Sequence, residues 1–111
     1  MMGTKKLTEL ELFLLRVLAA TGPTHPYHLG REVEQRGGTG FVSLGALYKA
    51  LHRLEESGYV ESEWENVDPR AVKRPNRRIY RILGLGEAAA NAATATRAAF
   101  LRGALGGAYW E

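Results

Sequence analysis

The sequence predicts a mainly α-helical domain with one small β-hairpin, and three observations predict it. Apolar residues recur at helical spacing in three successive segments. A stretch after them switches to two-residue alternation. An alanine-rich segment without proline then runs almost to the end. The chain has 111 residues, which is one domain rather than two. Its hydrophobic fraction of 45% and charged fraction of 24% are ordinary for a soluble globular protein. A domain of this size buries only about two-thirds of its unfolded surface, so a partner subunit would help it. With 0 cysteines, a disulfide scaffold, a cysteine-ligated metal and a thiol nucleophile are excluded. No apolar run nears the roughly 18 residues of a membrane span. Glu9 and Glu11 interrupt the N-terminal apolar stretch, so no signal peptide is read and a cytoplasmic protein is expected.

The first helix is expected over residues 8–20. Thr8 and Glu11 have capping-box spacing. Leu10, Phe13, Leu14, Val17 and Leu18 follow at helical intervals, while Leu12 and Leu15 make the helix apolar nearly all round. Gly22-Pro23 stops it. A second helix is expected over 27–36, with Pro26 in its first turn and Leu29 and Val33 as core anchors. The run Gly37-Gly38-Thr39-Gly40 is a turn. The third helix, 43–57, has Ser43 as N-cap and Gly58 just past its end. Leu44, Leu47, Leu51 and Leu54 form its apolar stripe.

Val60 to Glu65 alternates, with Glu61, Glu63 and Glu65 on one face and Val60, Ser62 and Trp64 on the other. Arg77 to Leu83 is the second strand. The connection between them, with Pro69 and Pro75, is too long for a tight turn and is expected to be a flexible loop. The last helix spans Leu85 to about Leu105, and its small residues suit close packing on another helix. This order is a winged helix-turn-helix over 1–84, followed by a C-terminal helix and tail over 85–111.

Charge points to a partner. Arg70, Lys73, Arg74, Arg77, Arg78 and Arg81 are six of the 15 Lys and Arg, with no acid among them. Without those six the net charge falls from +3 to −3. A basic loop of this kind suits phosphate contacts on a nucleic acid. Arg77 and Arg81 have an alternative, pairing with the glutamate face of the neighbouring strand. Lys73 and Arg74, near the tip, are expected to be free of it. The second signal is the face of the third helix carrying Ser43, Gly45, Ala46, Tyr48, Lys49 and Arg53. Small residues there admit a close approach, helix-start amides favour phosphate, and Lys49 can reach a guanine edge or a phosphate. The competing reading is a protein-interaction module whose basic wing meets an acidic partner. His25 and His28 have metal-like spacing but no third ligand near them, so no metal and no cofactor are expected. The glutamate face reads as a solvated strand face, and no residue set reads as a catalytic centre, so an enzyme is not expected.

The run Leu7-Thr8-Glu9-Leu10-Glu11 resembles the start of PadR-type transcriptional regulators. So does the stretch from Ser43 through Gly45-Ala46-Leu47-Tyr48-Lys49 to Gly58-Tyr59-Val60, and Arg78-Ile79-Tyr80-Arg81-Ile82 is similar to that family's second wing strand. Two places depart from the pattern: His25-Pro26-Tyr27 where His-Gly-Tyr is usual, and Leu83-Gly84-Leu85-Gly86 where Thr-Pro-x-Gly is usual. The resemblance implies a homodimeric repressor on double-stranded, palindromic operator DNA, with the third helix in the major groove and the wing beside it. It implies DNA contacts from Tyr27, Ser43, Gly45, Ala46, Tyr48, Lys49, Arg74, Arg77 and Arg78, to which the charge pattern adds Arg53 and Lys73. It also implies dimerisation through the C-terminal helix. The dimer surface is expected to take in Phe13, Val17, Phe100, Leu101 and Leu105. Some relatives of this type bind flat aromatic compounds, for which Phe100, Tyr109 and Trp110 are the candidate pocket here.

Overall fold

The computed structural model describes residues 6–37 and 42–101, with side chains among them up to residue 92. The order is α1 (Glu9–Thr21), α2 (Pro26–Gly37), α3 (Leu44–Glu56), β1 (Val60–Trp64), α4 (Pro69–Val72), β2 (Arg78–Ile82) and α5 (Gly84–Leu101).

α1 starts on the expected capping box. Thr8 Oγ1 accepts from the Glu11 amide at 3.1 Å, and Glu11 Oε1 accepts from the Thr8 amide at 2.9 Å. Gly22 ends it at φ 86°, a backbone state that glycine reaches without strain. Leu14, Leu15, Val17 and Leu18 of α1 meet Leu29 and Val33 of α2 and Leu47, Ala50, Leu51 and Leu54 of α3. Val60, Tyr80 and Ala90 close this core from the hairpin and α5. Val17, expected at a dimer surface, is 1% exposed inside the chain's own core. Helical spacing on an all-round apolar helix cannot separate the face that meets its own chain from one that meets a copy. Phe13 is only partly buried and packs at the margin of the core.

Leu44 also departs from expectation. Its spacing puts it in the α3 stripe, yet it is 55% exposed. It sits at the first helical position, beyond the leucines that α1 and α2 cover.

The hairpin is antiparallel, with Val60 opposite Ile82, Ser62 opposite Tyr80 and Trp64 opposite Arg78. Thr24 adds a bridge on the other edge of β2: its amide donates to the Tyr80 carbonyl at 3.1 Å and its carbonyl accepts from the Tyr80 amide at 2.8 Å. A lone paired residue has no alternation to read, so the sequence does not announce it. The connection expected to be a flexible loop contains a helical turn, α4. Asp68 caps it, Pro69 begins it, and Lys73 ends it at φ 60°. Asp-Pro followed by small or basic residues is a short helix start on the rules already applied to α2.

α5 begins where Gly86 lies against the base of the hairpin. A Cβ on Gly86 would sit 2.3 Å from the Tyr59 carbonyl oxygen, 2.8 Å from Ile82 and 3.2 Å from Leu15. The same Tyr59 carbonyl accepts from the Leu83 amide at 2.9 Å. From that pivot α5 packs along α1. Phe100 and Leu101 lie in α5, but their side chains are outside the described residues, as are Leu105, Tyr109 and Trp110.

Candidate nucleic-acid interface

α2 and α3 approach closely because Gly30 faces Leu47; a Cβ on Gly30 would lie 3.3 Å from Leu47 Cδ2. The Ser43 hydroxyl accepts from the Ala46 amide at 3.1 Å and fixes the start of α3. Around that start, Ser43, Leu44, Gly45, Ala46, Tyr48 and Lys49 are all exposed. Tyr27 at the start of α2 is 62% exposed and joins them. Tyr27, Gly30, Arg31, Glu34, Val42, Leu44 and Leu47 line an open, mainly apolar cleft between the two helices. The structure therefore groups six of the expected contacts: Tyr27, Ser43, Gly45, Ala46, Tyr48 and Lys49.

Arg53 does not join this group. Its Nε lies 3.1 Å from Oε2 of Glu11, whose side chain is 2% exposed, so it ties α3 to α1. A lone acid in a buried helix turn is the signal that it has a partner.

The wing differs most from a simple cationic loop. Arg74, expected to be free near the tip, forms a two-toothed pair with Glu65, at 2.7 Å and 3.2 Å. The Arg77 amide adds a third donor to that carboxylate at 2.9 Å. The Arg74 bond first, then the Arg77 amide, pull the Glu65 carboxyl down to about 2. The Arg77 guanidinium reaches His25 Nε2 at 2.8 Å. A guanidinium only donates, so that nitrogen accepts and His25 is neutral. Burial first, and Arg77 next, hold the His25 pKa below its usual value. The His28 amide lies 3.3 Å from His25 Nδ1, and His28 Nε2 lies 3.2 Å from Glu32. With Nε2 accepting, Nδ1 of the neutral ring carries the proton, so His25 secures the wing through Arg77 and His28 braces α2 through Glu32.

On the α3 side, Arg78 donates to Ser62 Oγ at 2.8 Å, and Ser62 donates to Glu55 of α3 at 2.7 Å. The Arg78 guanidinium stands 5.4 Å over the ring of Trp64, which is 61% exposed. Arg81 pairs with Glu61 across the strands. Arg70 is extended into solvent 3.8 Å from Asp68, and Lys73 is exposed. Trp64, Glu65, His25 and Leu44 are the site residues that sequence reasoning missed. An exposed tryptophan opposite an arginine on a strand is the readable sign for the first.

Residues 14–92 match the family described as Transcriptional regulator PadR-like family. The transcriptional regulator Rv3488 of Mycobacterium tuberculosis is 42% identical over 71 residues, 64% of this chain and 60% of that protein. The chain therefore aligns with about 60% of that relative's length. Among solved structures, a PadR family transcription regulator from Clostridium difficile superposes with a TM-score of 0.71 at 17% identity, covering 89% of this chain and 96% of that one. A PadR family transcriptional regulator from Eggerthella lenta gives a TM-score of 0.65 at 24% identity, covering 86% and 82%. These likenesses show the same winged-helix fold.

Proposed function

The chain belongs to the PadR-like family of transcriptional regulators, and on that premise we propose that it is a homodimeric repressor of a palindromic operator. The observation that carries the reading is the exposed start of α3, set beside a hairpin that holds six of the 15 basic residues. Solvent is a poor environment for Tyr27 and Leu44 exposed together at the α2–α3 cleft, and a duplex groove accepts a helix of this width. The α3 end reads bases, and the wing follows the flanking phosphates. Dimerisation through α5 is supported by the way α5 leaves the hairpin along α1 and continues to Leu101. Release by a flat aromatic compound at the α5 end is the finer part of the proposal. Its support is the family resemblance and the aromatic residues Phe100, Tyr109 and Trp110 in the sequence.

The test is fluorescence anisotropy with a labelled duplex from upstream of the protein's own gene, beside a scrambled duplex at low and moderate salt. The proposal expects the upstream duplex to bind at least about a hundredfold tighter at moderate salt, within the usual specific-to-nonspecific range. Equal binding of both, abolished by salt, would leave the wing as an electrostatic patch only.

A further inference from the structure

Building on the DNA-binding reading, we propose that the start of α3 selects thymine through its C5-methyl group, by apolar contact centred on Leu44, rather than by paired hydrogen bonds to a base edge. Two large side chains stand out of the fold around one cleft, Leu44 at 55% exposure and Tyr27 at 62%, and Tyr48, 50% exposed, follows Leu44 one turn further along α3. Val42 and Leu47 line the floor, and the small Gly45 and Ala46 leave the helix surface low enough for a flat partner to approach.

The polar inventory of this end is short. The Ser43 oxygen accepts from the Ala46 amide, which leaves its hydroxyl a single proton to donate. Arg53 is committed to Glu11, and His52 lies 3.2 Å from Glu56. No Asn or Gln occurs between Ser43 and Ala50, so the two-pronged recognition of adenine has no side chain to perform it from that stretch, and Lys49 is the one residue there suited to a guanine edge. The hydroxyls of Tyr27 and Tyr48 offer one donor each. Of the groups a duplex shows in its major groove, only the thymine methyl is apolar.

The charge around the cleft favours a polyanion. Arg31 lines it and stands 6.0 Å from the Tyr27 ring, and Lys49 is exposed further along α3. Glu34 is the single carboxylate among the lining residues.

The experiment starts with selection of duplexes from a random library by the full chain. The enriched duplex is resynthesised with deoxyuridine in place of thymidine, one position at a time. Burying one methyl group fewer weakens binding about fourfold, and that loss is expected at one or two positions per half-site. The variant Leu44→Ala keeps a good helix former at an exposed position. It is expected to bind the thymidine and deoxyuridine duplexes alike. If no sequence is enriched, the DNA-reading proposal itself fails, and the methyl contact with it. If a sequence is enriched but lacks thymine in its half-sites, the methyl contact is overturned while DNA reading stands. The methyl contact is likewise overturned if deoxyuridine has no effect, or if Leu44→Ala keeps the full fourfold difference.

Discussion

Glu65 accepts from both terminal nitrogens of Arg74 and from the Arg77 amide, and these donors lower its pKa from 4.5 to about 2. A carboxyl whose folded pKa lies below its unfolded value stabilises the fold above the unfolded value and loses that contribution as pH falls towards the folded one. The window here is between pH 4.5 and about 2. His25 acts in the same sense, because its pKa is also lowered and protonation would set a donor against the Arg77 guanidinium. Acid therefore loosens the attachment of the wing from both ends. Carboxyl-carbon NMR is expected to show Glu65 still ionised at about pH 3, where an ordinary glutamate has taken up its proton. In Arg74→Ala the Glu65 transition should move up towards 4.5; an unmoved transition would mean that the pair does not form in solution. Lys49 makes a separate claim at this scale. Exposed on the α3 face, it is expected to supply base or phosphate contact without structural work. Lys49→Ala is expected to leave the stability within about 0.5 kcal/mol. It should weaken binding to the selected duplex more than to a random one, and equal loss on both would assign it to phosphate alone.

At the scale of the element, the start of α5 depends on one glycine. No Cβ fits 2.3 Å from the Tyr59 carbonyl, so Gly86→Ala must push α5 away from the hairpin base and from Leu15. Overpacking of this kind costs about 1–3 kcal/mol, more than the helix propensity gained by alanine returns. Urea unfolding of Gly86→Ala is expected to show that loss, whereas Gly84→Ala, with open space around its Cβ position, should show none. An unchanged midpoint for Gly86→Ala would mean that α5 does not rest on the hairpin as described. The sequence shows α1 through its capping box, α3 through Ser43 and its leucine stripe, and the hairpin through its alternation, because these signals lie within one element. It does not show the Thr24 bridge, the Glu65–Arg74 pair or the Glu11–Arg53 tie. Each joins separate segments, and their partners become neighbours only once the chain has folded. Leu44 escapes the sequence reading for a related reason: periodicity gives a direction around a helix axis but not how far along the axis the neighbouring helices reach.

At the scale of the whole molecule, the count of wing cations overstates what is free to meet a phosphate. Arg74 and Arg81 face Glu65 and Glu61, Arg77 is held at His25, and Arg78 is shared among Ser62, Glu55 and Trp64. Lys73 is exposed at the end of α4, and Arg70, 95% exposed, holds Asp68 only at 3.8 Å. Counterion release counts cations that replace salt at the duplex, with a slope of about 0.9 per phosphate contact. A cation already paired with a carboxylate adds little to it. On the proposed DNA reading the wing thus divides into a scaffold of arginines that sets its shape and a tip left to make the electrostatic contact. Lys73→Ala is expected to lower the salt slope by about one per protomer and to weaken binding to all sequences alike. Arg81→Ala should leave the slope near its starting value. Anisotropy titrations across a series of salt concentrations read both numbers directly. If the two substitutions flattened the slope equally, the Arg81–Glu61 pair would have to open on the duplex, and all six basic residues would count as one phosphate-binding surface.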